Sequence, residues 1–396
     1  MLAIVLLAGA GAGAVIYFCY PDLLSPGTGE AAGEDGEAEA ETEKVSAPDT
    51  GAEAEEYSDN IVVPDSHSTI QEAINSSRDG EVITVKPGTY YENIDFKGKD
   101  ITLESTEPHN PDVVAETILD GNSNGTVVTF QSGESSGAVL TGFTITGGSG
   151  TRKRFDITSY DGSRLKFERQ YGGGILITGG SSPTITNNII RGNSVKNSGK
   201  KLFGVGAGIA ILDSSSPLIE ENIVDRNISG GYGGGVAVWY KSAPTIKNNK
   251  ITNNSCADFG GGILVAMMCD PVISDNEISY NSSSNTSGGL YIAHMSKAKI
   301  KNNRIRFNKA KVGAGMLARR VDDILIEDNN IAGNKAKKNG GGLVINYRSK
   351  AEVRNNIFED NTASAKGGAV WVSKDSRIRN SPKDNTYRNN SPGNVY

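Results

Sequence analysis

The chain has 396 residues, 37% hydrophobic, 7% aromatic and 22% charged, with 49 Gly against 13 Pro and a formal net charge of −6. That composition is globular and rich in turns, and it excludes a collagenous or wholly disordered chain. Three cysteines and three histidines stand apart, with no pair at ligand spacing, so no disulfide framework, metal site or cofactor is expected.

Residues 1–20, MLAIVLLAGAGAGAVIYFCY, carry no charged side chain, and roughly 20 apolar residues suffice to cross a bilayer as a helix. A secretory signal also begins with an apolar run, but here no basic stretch precedes it and no small-x-small cleavage site comes after it. Residues 1–21 therefore read as a transmembrane anchor in preference to a cleaved signal sequence. Either route exports the rest of the chain, to the periplasm or cell surface if anchored, or as a secreted protein if cleaved.

Residues 22–60 hold 13 Asp or Glu against the single Lys44, which describes a disordered, self-repelling acidic linker. Without it, residues 61–396 carry 39 Lys and Arg against 33 Asp and Glu. The acidic whole contains a basic domain.

STIQEAINSS, 68–77, reads as a short helix. Ser68 and Gln71 form a capping box, and Ile70, Ala73 and Ile74 make one apolar face. Coils are expected from about residue 80, starting with EVITVKPGTYYENI and DITLEST.

From SPTITNNIIRGN (182–193) onward the chain repeats with a period of about 27. One column of Asn runs through 188, 222, 249, 276, 303, 329, 356 and 385, and a second through 193, 227, 254, 281, 308, 334, 361 and 390. Between them lies an apolar column from Ile190 to Tyr387. Each repeat opens on glycines and a short alternating run such as GGGVAV (233–238), the pattern of a short strand. A 27-residue unit of three short strands cannot bury its own apolar face, so it must stack on its neighbours as a solenoid. Stacked turns bring equivalent Asn side chains one strand spacing apart, and an amide both donates and accepts, so each column becomes a hydrogen-bonded ladder.

These Asn-laddered coils, glycine-led strands and the N-terminal TIQEAI…PGTYYENI resemble the right-handed parallel β-helix proteins of the pectin-lyase-like superfamily. The resemblance implies an all-β, right-handed parallel β-helix over 61–396 with an N-terminal capping helix. It also implies substrate on the outer face of the first strand of each coil. The superfamily spans lyases, hydrolases, esterases, epimerases and binding proteins, so it does not choose a function.

The outward positions of those strands form two columns, Leu176 to Trp371 and Thr178 to Ser373, and neither contains a carboxylate. Glycoside hydrolysis needs two carboxylates and calcium-assisted elimination needs an acidic cluster, so a polygalacturonase or calcium pectate lyase is not expected. Gly88, Tyr90 and Glu92 match a pectin methylesterase pattern, but that esterase's catalytic Asp motifs are missing.

Two insertions, 151–171 and 194–205, lengthen the same turn in successive coils and are expected to project side by side. They carry Arg152, Lys153, Arg154, Arg164, Lys166, Arg169, Lys196, Lys200 and Lys201 among Phe155, Tyr160, Phe167 and Phe203. With Trp239, Tyr240, Tyr291, His294, Arg319 and Arg320 as a floor, they make a candidate groove for an anionic polysaccharide. Aromatic faces stack on sugars and guanidinium groups fork onto carboxylate or sulfate. From Lys297 to the end, 21 bases face 9 acids, which suits an anionic glycan; nucleic acid is not expected for an exported protein.

The competing expectation is a non-catalytic scaffold docking a protein partner along the apolar outer strand face. Catalysis is left open and the reading leans against it. The form that fits best is a metal-independent lyase with a Lys or Arg base in the insertions.

Overall fold

The computed structural model describes residues 61–158, 164–197, 203–380 and 382–395. The expected anchor (1–21) and acidic linker (22–60) lie outside the described residues, as do Tyr160, Lys200 and Lys201. No described helix is long and apolar enough to cross a membrane.

The repeat builds a parallel β-solenoid. In the coil that begins at Gly233 the strands are Val236–Trp239, Thr245–Lys247, Lys250–Thr252 and Ser255–Cys256. Each pairs in parallel with its equivalent in the next coil, for example Val236 with Ile263 and Thr245 with Val272. The sequence anticipates three strands per coil; the structure has four. The extra strand is two residues long, too short to show an alternation that can be read from sequence. Ten, twelve, eleven and seven strands respectively line up in the four resulting sheets.

Inward side chains fill the coil axis. Val236, Val238, Ile246 and Ile251 are fully buried, as are their counterparts Ile263, Val265, Ile273 and Ile278. Burying one such side chain stabilises by roughly 1.5–3 kcal/mol, and only stacking makes that burial available to so thin a coil.

Both Asn ladders form. Asn249 Nδ2 donates to Asn276 Oδ1 at 3.0 Å and also to the backbone oxygens of Ile219 and Lys247, while its own Oδ1 accepts from Asn222. In the second ladder Asn254 Nδ2 donates to Asn281 Oδ1 at 3.1 Å. The last rungs reach Asn385 and Asn390. The amides thus satisfy buried backbone carbonyls at the corners as well as one another.

At the N-terminal end, helix α1 (Ile70–Ser76) covers the open coil with Ile70, Ala73 and Ile74 buried. Its cap sits one residue later than the capping box suggests: Thr69 Oγ1 accepts from the Glu72 N–H at 3.1 Å, and the Ser68 hydroxyl donates to Glu72. Glu92 accepts from the Ile70 and Gln71 N–H groups, both at 3.0 Å, so the Gln71 N–H that Ser68 was expected to serve is met from the next coil. Glu92, the last residue of the Gly88, Tyr90, Glu92 pattern, thus has a structural role. The solenoid also starts earlier than residue 80, because Ile61–Val63 pairs in parallel with Val82–Val85. A three-residue run before a proline gives too little pattern to mark a strand.

Candidate binding surface

The glycine-led strands carry the two outward columns at the expected register: Leu264 beside Ala237 and Tyr291, Ala266 beside Trp239 and Ala293, and Arg319 beside Ala293 and Asn346. The first column is not a surface. Leu176, Ala210, Ala237, Leu264, Tyr291, Leu317 and Val344 are each at most 3% exposed. They pack under Tyr171, Val205, Tyr232, Phe259 and Val312, which sit just before the glycines and form a second apolar cluster with them. This corrects the expected docking strip, since the chain's own arm already covers it.

Glycine makes the cover possible. The residue immediately after each arm position has positive φ, as at Gly172 (58°), Gly206 (64°), Gly233 (60°) and Gly260 (72°), so the chain doubles back over its own strand. A large apolar residue before the glycine in several coils, as at Tyr171, Tyr232 and Phe259, was the available sequence signal. It was hard to see because the side chain differs in type from coil to coil.

The 151–171 insertion is an antiparallel hairpin, Thr151–Thr158 against Arg164–Tyr171. Its second strand pairs in parallel with Phe203–Val205 at the end of the other insertion, so the two do lie side by side. That ladder continues as single bridges through Tyr232, Phe259, Thr286 and Val312. Alternation then divides the basic residues. Arg152 and Arg154 are exposed on the outer face and paired with Glu168 (2.9 Å) and Asp156 (3.4 Å), and Lys166 is exposed on that same face. Arg164 is exposed at the hairpin end. None of these four turns toward the aromatic residues.

Lys153 and Arg169, opposite each other in the register, do turn inward. Lys153 Nζ donates to Gln131 Oε1 at 2.8 Å. Desolvation pulls its pKa below the usual lysine value, against the opposing pull of Asp95 and Asp213. The Arg169 guanidinium lies 5.0 Å over Phe203 and 5.9 Å over Tyr232.

From Arg169 a continuous strip crosses the coils. Tyr232 stacks on Trp239 (centroids 6.2 Å apart) and on Phe259 (5.5 Å), and Phe259 stacks on Tyr291 (4.9 Å). Tyr291 is buried, not part of an open floor, and burial raises its pKa against the hydrogen-bonded Arg319. Arg319 lies 4.0 Å over the Tyr347 ring. Its Nε and the neighbouring Asn346 Oδ1 are buried without a hydrogen-bond partner among the described residues, the kind of polar deficit that calls for an explanation. From the coil of Phe203 to that of Tyr347 the strip spans five strand spacings, roughly 24 Å.

The strip is edged by a turn whose backbone is left-handed at paired positions: Tyr240 and Lys241, Met267 and Met268, His294 and Met295, Tyr347 and Arg348, with Arg320 alone in its coil. Asn, Asp and Gly tolerate this conformation, while bulkier residues do so at a cost of roughly 1 kcal/mol or more each. The coil's other left-handed positions mostly use Asn or Asp, as at 187, 248, 253, 275, 302, 328, 355 and 360, with Glu221, Arg226, Tyr280 and Phe307 departing from the rule. Of the expected floor, the structure brings Trp239, Tyr240, His294, Arg319 and Arg320 to this edge. Sequence reasoning missed Tyr232, Phe259, Lys241, Tyr347 and the three methionines.

Desolvation by the crowded turn, then Arg319 and Arg320, pushes the His294 pKa down to about 4. Among the described residues Cys256 and Cys269 are buried and free, and burial pushes both thiols up to about 12, so they are poor nucleophiles. Two shallow concavities lie off the strip. One of ≈ 330 Å³ at the hairpin root is lined by Ser149, Gln170, Ser194 and Lys196, and another of ≈ 350 Å³ lies along the Asn248, Asp275, Asn302 corner. The strip is an open face. Among the described residues no cluster of His, Cys, Asp or Glu is arranged to hold a metal ion.

The family model for the right-handed β-helix region matches residues 57–317 and 234–396. The chain belongs to the right-handed β-helix family. This bears out the resemblance seen in the coils and fixes the hand of the solenoid. Among solved structures the β-helix is similar to the mannuronan C-5 epimerase A-module of Azotobacter vinelandii (12% identity, 82% of this chain and 91% of that one, TM-score 0.32). It is also similar to a family 28 exopolygalacturonase of Yersinia enterocolitica (12%, 85% and 78%, 0.30) and a mannuronic-acid-specific family 6 lyase from human gut microbiota (9%, 80% and 84%, 0.30). At these scores the likenesses carry no argument about chemistry. No curated protein matches the chain.

Proposed function

We propose that this β-helix binds an anionic polysaccharide along the strip from Arg169 to Tyr347, with residues 1–21 tethering the exported domain to a membrane. The observation that carries the reading is the strained turn. Five coils in succession place Tyr, Lys, Met, His or Arg where the backbone favours Asn or Gly. Such cost is expected where side chains serve a ligand. Aromatic rings offer faces to sugars, and Arg319, Arg320 and Arg169 offer planar donors to carboxylate or sulfate.

Calorimetry of the full chain with polygalacturonate, alginate and neutral dextran tests this. Binding of an acidic polymer but not dextran is expected. Trp239→Ala and Arg320→Ala should each weaken it about tenfold, near 1.4 kcal/mol, while Arg154→Ala on the outer hairpin face stays within twofold. If wild type binds no acidic polymer, the reading ends.

Lys153 favours a second, lyase-type reading. Its depressed pKa raises the fraction of neutral amine, which can take the proton next to a uronate carboxylate while Arg169, opposite it in the hairpin, neutralises that carboxylate. As the C4–C5 double bond forms the C4–O bond breaks, and the departing 4-oxygen takes a proton from the Lys153 ammonium or from water. Polyuronates incubated with the protein should then gain ultraviolet absorbance, and Lys153→Met should abolish the gain. A flat baseline on every polyuronate removes this reading and leaves binding intact.

A further inference from the structure

In two adjacent coils near the C-terminal end, the segment between the second Asn ladder and the glycines carries Lys309, Lys311, Lys335, Lys337 and Lys338. All five are exposed. Lys309 and Lys335 are direct register partners in parallel strands, and the Lys338 N–H donates to the Lys311 carbonyl at 2.8 Å, so the two ends of the cluster are each one strand spacing apart. Like charges directly opposite one another destabilise a sheet.

The same region of the chain handles its bases differently on another sheet. There Lys301 and Arg354 flank Glu327 at 2.7 and 2.5 Å, Lys350 meets Asp322 at 3.1 Å and Arg379 meets Asp323 at 3.2 Å. Among the described residues, none of the five lysines has an ion pair. On that sheet several bases are paired across coils; on this face five stand stacked and open.

We infer that this lysine ladder is a second anion-binding surface, taking a polysaccharide with regularly spaced carboxylate or sulfate groups that runs along the solenoid axis. It rests on the proposed function only for the class of polymer. The apolar residues between the lysines, Ala310 and Ala336, are at most 4% exposed, so the lysine segments themselves offer no apolar side chain to a bilayer interface. They also carry no aromatic residue on which an unpaired base would stack, although Phe307, stacked on Tyr280 at 5.1 Å, is exposed two residues before Lys309. Both points favour a polysaccharide over a lipid surface or a single-stranded nucleic acid.

The test uses the full-length chain and its Lys309→Gln/Lys335→Gln/Lys338→Gln variant at about 0.15 M salt, where weak surface attraction is largely screened. Probes are dextran sulfate, polygalacturonate, neutral dextran, anionic phosphatidylglycerol vesicles and single-stranded DNA. The expected result is binding of one or both acidic polysaccharides, weakened at least tenfold in the triple variant, with dextran silent. The strip variant Trp239→Ala should leave at least part of this lysine-dependent binding in place, which separates the two surfaces even if the strip fails. Binding unchanged in the triple variant overturns the inference. So does a preference for vesicles or DNA, equal binding to every polyanion, or no binding of either acidic polysaccharide at that salt.

Discussion

At His294 the side chain and the backbone are both held away from their preferences. The residue sits at φ 59° with Met295 at 60° behind it; it is exposed to solvent overall, while its imidazole is partly desolvated and faces the charges of Arg319 and Arg320. The folded pKa of about 4 lies below the unfolded value of about 6.5, so between those values the unfolded chain binds the proton that the folded chain refuses. The resulting contribution to stability is neutral above about pH 6.5 and becomes increasingly unfavourable as pH falls toward 4. In an NMR titration the His294 ring resonances should remain those of neutral imidazole until below pH 5. Arg320→Ala should move the midpoint upward, though not fully, because desolvation is the larger cause. A wild-type midpoint near 6.5 would mean that the turn does not crowd the ring. A neutral imidazole here can accept as well as donate a hydrogen bond at physiological pH, which suits contact with hydroxyls better than a third adjacent cation would.

The elements differ in how openly the sequence displays them. Coils are legible because Asn188 to Asn385 and Asn193 to Asn390 repeat one residue type at one spacing, and the ladders use that type's particular chemistry. The helix cover is legible from Ile70, Ala73 and Ile74. The inward and outward faces of the hairpin are another matter: strict alternation shows that Lys153 and Arg169 part company with Arg152 and Arg154, but only the docking of Phe155 against Tyr171 (5.4 Å) decides which face meets the body. The arm over the apolar column was hidden for the same reason, since Tyr232, Phe259, Thr286 and Val312 share a position and not a chemistry. The cap also depends on a distant group, Glu92. Glu92→Gln keeps the acceptor oxygen but loses the charge that favours a helix N-terminus, whereas Glu92→Ala leaves both N–H groups unmet. The first should cost under about 1 kcal/mol and the second about 1–3 kcal/mol, measured by urea unfolding. Equal losses would show that the carboxylate is not serving as the cap.

For the whole molecule, stability is a sum over coils and the contacts between neighbours, so what matters is how strongly each coil is tied to the next. Two ladders cross every boundary in the region of the repeats, together with four parallel sheets. The chain has only two tryptophans, and they report on different places: Trp239 in the strip and Trp371 farther toward the C-terminus in the same sheet. Asn303 and Asn308 lie between them and carry the ladders across the intervening boundaries. Replacing both with Ala removes amides that donate to the buried carbonyls of Ile273 and Ile278, at about 1–3 kcal/mol for each group left unmet. In single-tryptophan versions (Trp371→Phe or Trp239→Phe), urea unfolding of the otherwise native chain should give coincident transitions from the two reporters. With Asn303→Ala and Asn308→Ala added, the Trp371 transition should move to lower urea than the Trp239 transition, because the C-terminal coils lose their tie to the larger block before them. Coincident transitions at an unchanged midpoint would show that inward apolar packing alone couples the coils. Coincident transitions at a lower midpoint would show that the ladders stabilise the molecule without setting its boundaries.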